Sequence, residues 1–146
     1  MKKFTLIILL YYSFGTLSAQ SPADCPANLS IFAEFAKVKN YDSAYAPWLE
    51  VKTHCPELNE ATYIYGERIL NHKIKNTEDN AEFKTMLSSL YDDWLTYFPT
   101  DRRGKSQQGK ILAAKAQSMF EHETAPLAEI YAIFDQAYLS DVESFN

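Results

Sequence analysis

The chain has 146 residues, of which 47% are hydrophobic and 14% aromatic, with 14 Lys plus Arg against 19 Asp plus Glu. So aromatic a composition argues against disorder, and the length suits one domain with a real core. Without Lys2 and Lys3 the balance is 12 basic against 19 acidic residues, a net charge of −7, which repels phosphate backbones and excludes nucleic acid and anionic membrane as general partners.

Residues 1–19 have the pattern of a secretory signal peptide. Lys2 and Lys3 make a positive start, Phe4 to Tyr12 an apolar run of nine residues, and Leu17-Ser18-Ala19 a small-residue cleavage site. Spanning a bilayer needs about 20 consecutive apolar residues, so the run predicts removal rather than anchoring. Cys25 follows Pro-Ala-Asp, which does not fit a lipoprotein. The mature chain is expected to be residues 20–146, exported to the periplasm or outer envelope, with no transmembrane segment.

Six helices are predicted in order: Leu29–Lys39, Asp42–His54, Asn59–Lys75, Ala81–Tyr97, Ser106–His122 and Pro126–Asp141. No segment alternates like a strand. Asn40 or Asp42 can cap the second helix, Thr77 with Glu78 and Asp79 opens the fourth, and Thr124 with Pro126 opens the sixth. Pro56 and Pro99 stop the helices before them. Pro47 forfeits a backbone bond, so the second helix either starts late or kinks there.

A period of 43 residues runs through these helices. It relates Trp48, Tyr91 and Phe134; Ala44, Leu87 and Ile130; Val51, Trp94 and Ala137; Pro56 and Pro99; and Gly66 and Gly109. Agreement of so many positions on one spacing points to repeated helical hairpins. The fold class expected is all-α, a solenoid of about three antiparallel hairpins.

Ala44-x3-Trp48-x2-Val51-x4-Pro56 resembles the second helix of a tetratricopeptide repeat, with a small residue, an aromatic four later and a proline twelve after the small residue. Lys39 to Ala44 resembles the tight turn entering that helix, and Gly66 and Gly109 resemble the family's helix-A glycine. Leu87 and Ile130 replace the small residue, and the third repeat lacks the proline. A HEAT-like or generic α-solenoid, with repeats of ~40–47 residues, therefore stays open. The chain is also similar to the N-terminal part of longer exported repeat proteins of Bacteroidetes, through Cys25-Pro26, Lys37 to Asp42, Cys55-Pro56 and Tyr65-Gly66-Glu67. Such relatives continue with further hairpins, which raises the expectation that this chain is a fragment of a longer array.

Cys25 precedes the first helix and Cys55 ends its partner, so an antiparallel hairpin brings them together. In an oxidising compartment a lone pair forms a structural disulfide, worth about 3–4 kcal/mol for a loop of that length. The alternative is two free thiols.

The chain offers little chemistry. His54, His72 and His122 are not spaced to share a metal on one helix. Adjacent Asp92 and Asp93 point apart on a helix. Neither a nucleophile elbow nor a glycine-rich phosphate loop occurs. No catalytic residue, metal or cofactor is therefore expected. Arg102-Arg103-Gly104-Lys105 is a basic loop, ordinarily a solvated one, whose sharper reading is a contact for an acidic partner. Among ten tyrosines, Tyr63 and Tyr65 lie on a helix that would line the concave face of a repeat array, which makes them candidates for partner binding; a semi-buried repeat interface is the plainer alternative. The function expected is non-catalytic protein or peptide binding, or scaffolding, in the cell envelope. A carbohydrate or peptidoglycan binder or enzyme using an aromatic groove is the alternative. A permanent scaffold subunit, taken alone, would expose its last hairpin around Ile130, Phe134 and Tyr138 and self-associate.

Overall fold

In a computed structural model, which describes residues 24–142, the chain forms six helices and, among the described residues, no strand: α1 Cys25–Lys37, α2 Tyr41–His54, α3 Ala61–Asn76, α4 Ala81–Tyr97, α5 Gln108–Glu121 and α6 Leu127–Ser140. The expected signal peptide lies outside the described residues. The helices pack as three consecutive hairpins, α1 with α2, α3 with α4 and α5 with α6, and each hairpin stacks on the next through α2 against α3 and α4 against α5.

The helix ends follow from local chemistry. Asp24 starts α1 four residues before the expected Leu29, because its carboxylate accepts from the Ala27 amide at 3.2 Å and Pro26 fits the first turn. Asn40 caps α2 through Ser43 N, at 3.3 Å. That helix starts at Tyr41 and runs through Pro47 to His54, so proline does not delay it. Two expected helix openers do other work. Thr77 to Asp79 lie in the turn before α4, and Asn80 instead donates back to the Ile74 carbonyl at 2.9 Å. Thr124 donates to the Met119 carbonyl at 3.5 Å and so closes the end of α5 rather than starting α6.

The main core joins the first two hairpins and the near face of α5: Phe32, Ala36, Ala44, Trp48, Val51, Tyr63, Ile69, Leu70, Leu87, Leu90, Tyr91, Trp94 and Ile111. A small separate cluster of Ala116, Met119 and Ile130 holds α5 to α6. Cys25 and Cys55 are joined, with their Cα atoms 6.3 Å apart, at the open end of the first hairpin as its antiparallel geometry requires.

Candidate functional site

The 43-residue register makes the three second helices of the hairpins directly comparable. Ala44, Leu87 and Ile130 are all buried, as are Val51, Trp94 and Ala137. These positions form the inner stripe by which each second helix packs on its hairpin mate. About 40–60° around the helix from them lies the position of Trp48, Tyr91 and Phe134, which points at the following hairpin. There the equivalence fails: Trp48 is 0% exposed and Tyr91 1%, but Phe134 is 38% exposed.

The buried pair shows what normally fills that position. The Trp48 indole lies flat on Gly66 of α3, where a Cβ would come within 2.7 Å of Nε1, and its Nε1–H donates to the Thr62 carbonyl at 2.7 Å. Tyr91 is covered by α5, beside Ala114 and Ser118, in a polar cavity of about 80 Å³ lined also by Glu67 and Asn71 of α3. Burial pushes the Tyr91 hydroxyl well above its ordinary pKa, with Glu67 adding to the effect. An ion pair accompanies each covering helix. Lys73 of α3 meets Asp42 of α2 at 2.7 Å, and Lys115 of α5 meets Asp92 of α4 at 2.5 Å.

On α6 the corresponding stripe stays exposed to a large degree. Leu127 is 56% exposed, Tyr131 64% and Tyr138 54%, in line with Phe134 at i, i+4, i+7 and i+11. Their counterparts 43 residues earlier are Lys84, Ser88, Tyr91 and Leu95, and 86 earlier Tyr41, Tyr45, Trp48 and Lys52; all of these are buried or half-buried. This exposed stripe is also the most apolar of the three. It extends past Leu127 into a cleft of about 450 Å³ lined by Phe120, Ala125 and Ile130, with Glu121 and Glu123 on its rim. From Glu121 to Asn146 the sequence holds six acidic residues and no Lys or Arg. The feature is therefore an aromatic stripe in an acidic setting.

The residues singled out from sequence are distributed unevenly around this face. Phe134 lies on it, and of the expected exposed trio Tyr138 lies there too, whereas Ile130 is buried against α5. Tyr63 does not line a groove. It is fully buried between α3 and α4, stacked near Trp94 and Tyr97 with ring centroids 6.0 and 6.5 Å away, and its hydroxyl donates to the Pro56 carbonyl at 2.9 Å. That bond gives Pro56 a second role beyond ending α2. Tyr65 is half-buried, edge-on to Phe32 at 6.3 Å and under Arg68. Both belong to the interface between helices because α3 packs on α1, α2 and α4 at once.

The glycine match is also only partly structural. Gly66 seats Trp48, but in α5 the residues turned to α4 are Ile111, Ala114 and Lys115. Gly109 lies two residues before Ile111, 200° around the helix, and so is buried on the other side. The connections before α4 and α6 differ in length, which shifts the first helices of the hairpins off the 43-residue period kept by the second ones. Pro99 follows α4 and accepts at its carbonyl from Gln107 N at 2.9 Å, tying the loop to α5.

Elsewhere the polar groups are engaged in holding the hairpins together. Glu60 accepts from Trp94 Nε1 at 3.2 Å and Gln107 Nε2 at 2.9 Å, linking α3, α4 and α5. His72 lies 3.3 Å from Asp42, and His122 Nε2 is 2.8 Å from Asn71 Oδ1. In the basic loop, Asp101 accepts from the amides of Arg103 and Lys105, which lowers its pKa, and Gly104 takes the turn at φ 78°. Among the described residues no group of three His, Cys, Asp or Glu could hold a metal, and no helix is long and apolar enough to cross a membrane. No family model, curated protein or solved structure matches the chain.

Proposed function

We propose that this is an exported, TPR-like helical-repeat protein of the cell envelope that acts by holding another protein rather than by breaking bonds. The observation that carries the reading is the exposed stripe of Leu127, Tyr131 and Phe134. A contiguous run of exposed large apolar side chains on one helix face is the kind of surface that marks an interaction site, and tyrosine and phenylalanine at its centre are favoured anchors of protein interfaces. Export rests on the signal-like residues 1–19 and agrees with the Cys25–Cys55 bridge, since disulfides persist in oxidising compartments. With Tyr63 buried and Tyr65 packed, the aromatic groove that a glycan would need on α3 loses its main support.

The test uses residues 20–146, made in an oxidising compartment, as bait in cross-linking of an envelope extract from the source organism. A protein captured by the native chain, absent with Phe134→Ser, and binding again when purified supports the reading. Capture that is indifferent to Phe134 and Tyr131 moves the contact off α6. Retention on peptidoglycan or glycan without a protein partner replaces the reading with a saccharide-binding one.

A further inference from the structure

The register also identifies the kind of segment the α6 face receives; this rests on the docking reading above. Within the molecule, the Trp48 and Tyr91 positions are each covered by one helix, and each of those helices does two things. It lays a small residue against the aromatic ring: Gly66 on Trp48, Ala114 beside Tyr91. It also brings a lysine to an aspartate of the helix it covers: Lys73 to Asp42, Lys115 to Asp92. Asp92 directly follows Tyr91, and Asp135, 43 residues later, directly follows Phe134. The α6 face thus repeats the acidic and aromatic half of the α4–α5 contact, and among the described residues no ion-pair partner faces Asp135.

We infer that the outer face of α6 is a docking site for a basic amphipathic helix from a partner protein, one that sets a glycine or alanine against Phe134 and a lysine or arginine against Asp135. Charge decides against a second copy as the occupant. A second copy's α6 has no Lys, Arg or His to set against Asp135 and would bring its own Asp135 to the same interface. Like charges set opposite each other across an interface disfavour the pairing. A basic helix meets Asp135 beside the stripe and Glu121 and Glu123 at the adjoining cleft. A small residue at the centre is required for the same reason as at Gly66: a planar ring can lie on the helix backbone only where no larger side chain holds it off.

The probe is the protein's own covering helix supplied in trans. A peptide of residues 107–121 retains Ile111, Ala114 and Lys115, with Leu112, Ala116 and Met119, which serve the hairpin side, replaced by glutamine. A staple on that replaced face offsets the marginal helicity of so short a segment. NMR titration of the isotopically labelled mature protein should show saturable binding, with shifts centred on Leu127, Tyr131, Phe134 and Asp135. Lys115→Glu in the peptide should weaken binding about tenfold, as should Phe134→Ser in the protein. Pairing the Lys115→Glu peptide with an Asp135→Lys protein should restore most of the loss, a rescue that a misfolded variant could not produce. Tyr131→Glu, at a more exposed position, serves where Phe134→Ser perturbs the fold.

No saturable binding, shifts confined to another face, or binding indifferent to the charge swap would overturn the inference. So would sedimentation showing a dimer dissociated by Phe134→Ser, which would make a second copy the occupant. Envelope capture that depends on Phe134 while this peptide fails would leave the docking reading standing and remove only the basic helix.

Discussion

The first and last hairpins share a register of residues and face opposite circumstances. In the first, Trp48 is closed in by α3, the hairpin's open end is tied by Cys25–Cys55, and Phe32, Ala44 and Val51 join a core continuous with the second hairpin. In the last, the inner stripe is buried as well, but only Ala116, Met119 and Ile130 form its own cluster, and Leu127, Tyr131 and Phe134 stay exposed. A residue's fate in a stacked array is therefore set by whether a neighbour follows, rather than by its place in its own hairpin. Where the first hairpin spends its aromatic residue on stability, the last one leaves the equivalent ring for contact.

The strongest way to break this comparison is to truncate the same position at both ends. Trp48→Ala removes a buried indole and its bond to Thr62, and should cost about 3–5 kcal/mol in urea denaturation. Phe134→Ala should cost less, about 1–2 kcal/mol, because more than a third of that residue already meets water. Similar losses would mean that the α6 face is covered in solution.

Opening the disulfide with Cys25→Ser and Cys55→Ser should cost about 3 kcal/mol through the freed loop of the unfolded chain. Hydrogen exchange should show the added opening in α1 and not in α6. A loss spread evenly over all six helices would indicate one cooperative unit and blunt the contrast between the ends.

Gly66→Ala tests the seat of Trp48. The added methyl meets the rigid indole at 2.7–2.9 Å, so overpacking of about 1–3 kcal/mol outweighs the ~1 kcal/mol gained in helix propensity. Trp48→Phe should relieve part of that cost in a double-mutant cycle, since the smaller ring leaves room for the methyl.

The smallest effect concerns how the third hairpin is held to the second. His122 at the end of α5 reaches Asn71 on α3, and burial lowers its pKa, aided by Lys84 and opposed by Glu121. The fold thus favours the neutral ring. Its contribution is present above the unfolded value of about 6.5 and is lost as pH falls from there through the lower folded value. Between pH 7 and 5 the native protein should lose stability more steeply than His122→Gln, as read from urea midpoints at each pH. Equal slopes would remove His122 as the source.

The sequence alone determined the helices, the hairpin pairing, the disulfide and the inner stripe, because each depends on local periodicity, on caps and prolines, or on residues brought together by a short turn. Ala81–Tyr97 was legible to the residue. Tertiary structure decided which side of each helix another hairpin covers. It buried Tyr63, which had looked like a binding residue, and separated Gly109 from the role of Gly66. It also left Tyr131 and Leu127 bare, although the 43-residue spacing, extended to the stripe beside the one already read, would have placed them with Lys84 and Ser88. The reason is that 3.6-residue periodicity marks an apolar side without saying what packs on it, and a helix in a stacked array has two such sides. Which side becomes core and which remains surface depends on the next layer of helices, whose contacts lie far along the chain.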